Sequence, residues 1–423
     1  MALVKLFIDS NVALRTRLPQ IPNDGNDYEI TLAAGQYVVD TDIVLFHPAG
    51  GRIVLRAHAG GDVRIKGTPF YYRFNIVARD IDISGIHFGD DIPYYLPVAP
   101  LGCFVMFGGR RSTDNTFHCN PTSLSMSNCS INGAQSVGFA ASQHSSVYTQ
   151  IKITDIVIEE GGINGILAVF SSHPTSTEGF FHAYFDHITG EGKNGPDTTT
   201  WDPNGVAPFN GSTHFKGTAA IDLSHMDGIS SALITRFVYT SRIFGSANHD
   251  MHCLRVNHMK TAGVSITVRD SSLSGSYESG HMSGDGGGNP WLFYYHSGGS
   301  EYPLGKPQII FENCTLSTYI ASGVGEIPAD WLGIESLVLC NQNSSCDLHF
   351  YDCTLSFDVP LLFRPYTCVS GVSATYTGTY LHSTTLVNVV NTLSAPTANR
   401  TLTIDTNSIP NPGLTHRRVP VLY

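Results

Sequence analysis

Apolar residues along this chain recur two apart in short bursts, and a polar residue breaks each burst at a fixed place. The pattern is apolar, any, apolar, any, Asn or Asp, any, any, apolar. It reads IDISGIHF from Ile81, LSMSNCSI from Leu124 and IKITDIVI from Ile151. A poorer copy, HAYFDHIT, starts at His182, followed by FVYTSRIF from Phe237 and ITVRDSSL from Ile266. The series continues as IIFENCTL from Ile309, LHFYDCTL from Leu348 and LTIDTNSI from Leu402. Apolar residues two apart face the same side of a strand. The fifth place then needs a sharp bend, and Asn128, Asp155, Asp186, Asp270, Asn313 and Asp352 fill it in six of the nine copies. Asn and Asp tolerate the left-handed backbone conformation and bond locally, which suits them to such a bend. Stacked on successive turns, they can also form a side-chain ladder.

Successive copies start between 27 and 55 residues apart, a period that marks a solenoid whose longer turns carry a loop or an unrecognised copy. After the bend a second short strand carries its apolar residue inward. Cys129, Cys314 and Cys353 each follow a bend residue, so they read as small fillers in a stack. The same register places the sequon residues Asn128 and Asn313 at bends, where their side chains are expected to be occupied. Upstream, Ile30-Thr-Leu-Ala-Ala-Gly-Gln-Tyr37 reads as strand, glycine turn and strand, and Gly51 to Leu55 and Asp62 to Ile65 give two more strands.

The I-x-L-x-x-G-x-Y opening, together with the N-C-x-I-like copies, resembles the pectate-lyase-like β-helix superfamily over roughly residues 28–410. That resemblance implies an all-β, single-stranded right-handed parallel β-helix, a solenoid with loop insertions and capped ends. Residues 1–25 are expected to cap or attach one end, residues 26–410 to form the β-helix, and residues 411–423 to form a C-terminal tail. The superfamily includes polysaccharide lyases, glycoside hydrolases, phage tailspikes and non-enzymatic adhesins, so the resemblance is far more specific for fold than for function.

Composition fits many short strands and turns. Hydrophobic residues make up 42% of the 423, charged residues only 14%, and there are 42 glycines. The formal net charge is -11, and the only notable basic doublets are Arg110-Arg111 and Arg417-Arg418, which argues against nucleic acid as a partner. No run reaches transmembrane length. Asp9 interrupts the apolar start, so no signal peptide is expected. The nine cysteines contain no C-x-x-C pair, although Cys340 and Cys346 flank a polar loop and could bridge.

In a filled solenoid, chemistry belongs on the outer faces and loops. The segment from Asn248 to His258 holds His249, Asp250, His252, Cys253, Arg255 and His258. One reading makes His252 an acid/base and Arg255 the cation that holds a carboxylate such as a uronate. Another makes the segment a plain strand, with His252, Leu254 and Val256 on one face and Arg255 on the other. His249, His252 and His258 have the donor type of a metal site, but no metal or cofactor is expected.

The insertion Ser276–Pro307 adds His281 and Asp285 as candidate catalytic partners and Trp291, Tyr294 and Tyr295 as flat faces for sugar rings. Trp201, in the polar stretch 187–214, is a further carbohydrate-facing candidate. Hydrolysis would need paired carboxylates. Glu159-Glu160 and Asp90-Asp91 are adjacent and should diverge, whereas Asp222, Asp227, Asp250 and Asp285 would have to converge in space.

The resemblance, the absent signal peptide and the aromatic loops imply a phage virion protein of tailspike or tail-fibre type. Its expected partners are host cell-surface polysaccharide, which it contacts or degrades, and other virion proteins. Tailspikes imply a homotrimer, although no long trimerising tail follows Leu402. No membrane insertion is expected. The alternatives are a polysaccharide lyase or glycoside hydrolase outside a virion, and a non-enzymatic scaffold.

Overall fold

The computed structural model describes residues 2–67, 72–89, 104–114, 116–132, 136–141, 147–161, 165–170, 181–193, 217–224, 230–244, 250–257, 264–279, 290–296, 308–320, 338–340, 347–362, 367–368, 378–390 and 401–404. Within them the chain is a parallel β-helix. Except for the short antiparallel pair Arg110–Arg111 and Thr116–Phe117, the strand pairings are parallel, and each joins a strand to its equivalent one coil away. Three sheets result. The first runs from Leu3–Ile8 through Ser231–Thr235 and Gln308–Glu312 to Thr401–Ile404, before the bends. The second follows the bends and includes Val238–Phe244, Ser272–Ser279 and Thr315–Ile320. The third comprises Phe104–Gly108, Ser136–Ala140, Gly165–Phe170, Gly217–Ser224, Asp250–Asn257 and Pro290–His296, with shorter strands beyond.

The bends behave as the repeat predicts, with two corrections. Asn128, Asp155, Asp270, Asn313 and Asp352 all have φ between 51° and 56°. Asp186 does not. The left-handed residue is His187, one place later, and in the next coil it is Arg236 rather than a residue inside the copy read from Phe237. The repeat was misaligned there because two bulky residues occupy the bend. Each has an acid to hold it. His187 Nδ1 lies 2.8 Å from Asp155 Oδ1, and Arg236 Nε donates to Asp186 Oδ1 at 2.7 Å. Ser383 (φ 46°) marks a further bend that the Asn/Asp pattern missed.

The ladder survives the turn. The backbone N–H of Asp270, Asn313 and Asp352 donates to the carbonyl of Glu312, Tyr351 and His382, respectively, in the next coil, at 2.9–3.0 Å. Asn313 Nδ2 also donates to Asp270 Oδ1 at 2.7 Å, so this sequon residue is engaged. The residue after each bend turns inward. Cys129, Cys314 and Cys353 are buried free thiols, each with Sγ 3.2 Å from the carbonyl oxygen two residues back. Ser271 and Thr384 make the same bond with a hydroxyl. At these five bends the slot takes a small side chain with one donor, whereas Ile156, Ile188 and Phe237 fill it with apolar bulk after the bends at Asp155, His187 and Arg236. Burial pushes the Cys129 thiol up to about 12, which suits a filler and not a nucleophile. Cys346 lies outside the described residues, as does its possible bridge to Cys340.

One continuous apolar core fills the solenoid, with in-register rings such as Phe311 and Phe350 stacked at 5.0 Å. At the N-terminal end the helix Asn11–Arg17, capped by Ser10, and the turn Leu18–Gln20 send Leu14 and Leu18 into that core beside Ile8 and Ile21. This closes an end that would otherwise leave apolar surface open. The fully buried ring of His47 ties the following loop down, its nitrogens each 2.9 Å from a carbonyl oxygen, of Pro22 and of Asn26. Gly51 (φ +87°) lies against the same loop, where a Cβ would strike the Asn26 carbonyl. Residues 411–423 lie outside the described residues.

Two outcomes follow for the bends. Asp270→Val should lower the urea-unfolding free energy by about 1–2 kcal/mol more than Asp270→Gly, because only glycine tolerates the left-handed backbone without a Cβ penalty; equal losses would contradict the role given to φ. The Arg236 guanidinium holds the Asp186 carboxyl down at about 2. A depressed carboxyl stabilises the fold above its ordinary value of 3.8 and loses that contribution as pH falls toward about 2. Arg236→Gln should therefore lower Tm at pH 6, and the gap from wild type should shrink steadily as pH falls from about 4 through about 2.

Candidate functional site

The third sheet carries the charged candidates, and its local geometry decides where they face. In the strands Gly217–Ser224, Asp250–Asn257 and Pro290–His296 the pairing skips Ala220, Cys253 and Leu292. Each skipped residue and the one after it lie in the core: Ala220 with Ile221, Cys253 with Leu254, Leu292 with Phe293. Two consecutive inward residues shift the alternation by one, and because every coil skips one residue at the same rung the register runs on unbroken. The plain alternating strand would set His252 on the face opposite Arg255. This shared shift instead puts both on the outer row, while Leu254 and Val256 stay in the core.

The register then assembles the site across three coils. His252 pairs with Ala219 on one side and Trp291 on the other. Arg255 pairs with Asp222 and with Tyr294. Two rows result, Ala219–His252–Trp291 and Asp222–Arg255–Tyr294. The second continues backward through Ala168, Gly138 and Met106 to Asn75. Tyr295 pairs with Val256, a core position.

Arg255 Nη2 donates to Asp222 Oδ2 at 2.5 Å, with the two side chains 5% and 10% exposed. His252 is 2% exposed. A buried guanidinium is costly to desolvate unless a carboxylate and further donors and acceptors satisfy it. Asp222 supplies that carboxylate. The arrangement has two chemical capacities. Arg255 is fixed in orientation by its partner, which prepares it to read a planar anion or a hydroxyl pair. His252, one row away, is a titratable ring next to an aromatic position. Neither group is open to bulk solvent.

His249, His258, His281, Asp285, Trp201 and Asp227 lie outside the described residues, and Asp250, Trp291, Tyr294 and Tyr295 are placed by their strand register alone. Among the described residues no group of three or more His, Cys, Asp or Glu side chains could hold a metal. Asp222 is the member that sequence reasoning weighed only among scattered carboxylates. It lies 33 residues from Arg255, and only the coil register pairs them.

A second polar cluster outside this sheet resolves as structural. On the Arg110–Phe117 hairpin, Asp114 accepts from Arg111, Thr116 and His118. The Thr116 hydroxyl and Asp114 both meet His118 at the same Nε2, so no relay runs through the imidazole. Arg111 lies over the Phe46 ring at 5.0 Å, which pins the hairpin to the solenoid.

No family model matches this chain, and no curated protein matches it. Two solved structures align along most of its length. The endo-xylogalacturonan hydrolase from Aspergillus tubingensis is 11% identical, with 95% of this chain and 99% of that one covered and a TM-score of 0.24. PfbA, a surface adhesin of Streptococcus pneumoniae, is 9% identical, with 89% and 88% covered and a TM-score of 0.19. The fold assignment stands on the strand ladders themselves.

A double-mutant cycle tests the ion pair. Arg255→Met should destabilise the protein by about 3–5 kcal/mol, because Asp222 is left buried and unpaired. Adding Asp222→Leu should recover most of that loss, since two apolar side chains of similar bulk replace the pair. Additive losses in urea unfolding would contradict a direct buried pair.

Proposed function

We propose that this β-helix protein contacts polysaccharide, and that it does so as a virion protein of tailspike or tail-fibre type whose ligand is a host cell-surface glycan. The observation that carries the polysaccharide reading is the pair of rows on the third sheet, where a fixed arginine–carboxylate pair and a histidine fall in register with the aromatic positions Trp291 and Tyr294. Sugar recognition combines these group types, since charged and polar groups bind hydroxyls and carboxylates while aromatic faces take the apolar face of the ring. The arginine in that row points to an acidic sugar as the ligand class. The virion assignment is supported by the chain's low charge and glycine-rich composition, with other virion proteins and further copies of the chain, in a trimer, as its assembly partners.

Turnover at these groups is disfavoured, because Arg255 is neutralised by Asp222 and both His252 and Arg255 are buried, so direct contact with the sugar falls to the aromatic positions. The alternative is a lyase or hydrolase in which His252 takes or gives the proton and His281 and Asp285 complete the groove.

The test is calorimetric titration of the full chain with polysaccharide extracted from candidate host cells, alongside assays for reducing ends and for unsaturated uronate. Saturable binding is expected, weakened about tenfold by Trp291→Ala together with Tyr294→Ala, with no release of product. Product release that His252→Ala abolishes would favour the enzyme, and absence of binding to any host glycan would overturn the proposal. Mass spectrometry of purified particles tests the virion assignment separately.

A further inference from the structure

Two neighbouring coils match cysteine to cysteine. One coil runs through Gln308–Glu312, Thr315–Ile320 and Val338–Cys340, and the next through Asp347–Tyr351, Thr354–Leu362 and Thr367–Cys368. Cys314 and Cys353 follow the bend residues Asn313 and Asp352 in these coils. The pairs Glu312–Tyr351 and Thr315–Thr354 flank them, and the Thr354 N–H donates to the Cys314 carbonyl at 2.8 Å. The two cysteines therefore stand one rung apart. The same coils are matched again in the third sheet, where Cys340 pairs with Cys368.

The sulfurs of the first pair converge. Cys353 Sγ lies 3.5 Å from the Phe311 carbonyl oxygen, in the coil of Cys314, and Cys314 Sγ lies 3.2 Å from the carbonyl oxygen of the adjoining Glu312. The two thiols also hydrogen-bond to each other, which lowers the Cys314 thiol and raises that of Cys353. One rung is about 4.8 Å, inside the Cα separation of about 4.4–6.8 Å that a disulfide spans.

Cys129 and Cys253 lack this arrangement. Cys129 lies between Ile86 and Ile156, and Cys253 meets the Ser241 hydroxyl at 3.3 Å. Burial pushes both thiols up to about 12. Filling the slot does not require sulfur either, since Ser271 and Thr384 occupy it with the same bond. What two adjacent cysteines add over two hydroxyls is redox chemistry. Each is 2% exposed and sits beside an exposed bend residue, so a small oxidant has a short path to it.

We propose that Cys314 and Cys353 form an oxidation site, which a peroxide converts into a disulfide that staples the two coils. The Cys314 sulfur, as thiolate, attacks one peroxide oxygen, the O–O bond breaks, and the departing hydroxide takes a proton to leave as water. Cys314 is then a sulfenic acid. The Cys353 sulfur attacks the Cys314 sulfur, the S–S bond forms, and the S–O bond breaks with loss of a second water. The two sulfurs are oxidised together and the one peroxide is reduced. The proposal is independent of the polysaccharide reading, which concerns His252, Arg255 and the aromatic positions of the third sheet.

The experiment exposes the reduced full chain to hydrogen peroxide, alkylates the remaining thiols after unfolding, and maps linked peptides by mass spectrometry. A Cys314–Cys353 link is expected, with Cys129 and Cys253 alkylated. Oxidation should raise Tm by about 4 °C, because the link closes a loop of one whole coil. Cys314→Ser and Cys353→Ser should each remove both the link and the shift. Both variants should fold, as circular dichroism would show, since serine already fills this slot at Ser271. The proposal is overturned if Cys314 and Cys353 are still alkylated after peroxide, whether or not Cys340 links to Cys368. It is equally overturned if either joins a different cysteine, or if Cys314→Ser shows the same rise in Tm.

Discussion

The backbone hydrogen bond between one coil and the next is the interaction on which the rest of this protein depends. A solenoid has no second layer to pack against, so each strand must find its partner in the neighbouring turn and each apolar side chain must stack on its counterpart. The bends are where such a ladder would break, because a sharp turn points N–H and C=O groups away from the strand direction. At Asp270, Asn313 and Asp352 the left-handed residue keeps its own N–H aimed at the next coil, and the following Ser271, Cys314 or Cys353 returns a bond to the carbonyl before the bend. The turn there adds to the ladder. The same register that stacks Phe311 on Phe350 also sets Asp222 beside Arg255, so the core and the buried ion pair share one origin.

Two of the three sheets were legible in the chain. Alternation before and after an Asn or Asp bend is a period-two signal with a marked break, and it survives wherever a short polar residue takes the left-handed conformation. It failed at His187 and Arg236 because long side chains are unusual there, and each is held by an acid in the preceding coil that sequence cannot locate. Ser383 was missed for a simpler reason: serine makes the local turn bond more weakly than Asn and Asp and does not mark a bend in sequence. The third sheet was hidden. Its strands read as nearly continuous apolar runs, such as GILAVF and GTAAIDLS, and the paired inward residues at Ala220, Cys253 and Leu292 remove clean alternation.

The candidate site was half legible on the same grounds. His252 and Arg255 stand out as polar residues in an apolar strand, yet strict alternation assigns them to opposite faces. Only the shared shift of alternation reconciles them, and it has no sequence mark here beyond Cys253 standing where a polar residue would be expected. Asp222 could not be chosen over other aspartates, because coil lengths vary and register is a property of the assembled ladder. Burial then changes the meaning of the pair. An arginine that sequence would assign to a ligand is committed to a carboxylate of its own chain, which makes it a fixed structural element of the sheet.

The central claim is that coils stack in this register, and a distance measurement addresses it directly. Val157 and Thr354 stand in one column of the second sheet, five rungs apart along the ladder through Thr189, Val238, Ser272 and Thr315. Spin labels placed at Val157→Cys and Thr354→Cys, in a background whose accessible native cysteines are replaced, should give one narrow distance near about 24 Å by pulsed electron resonance. A broad distribution, or a maximum well away from that distance, would contradict the stacking from which the candidate site is derived.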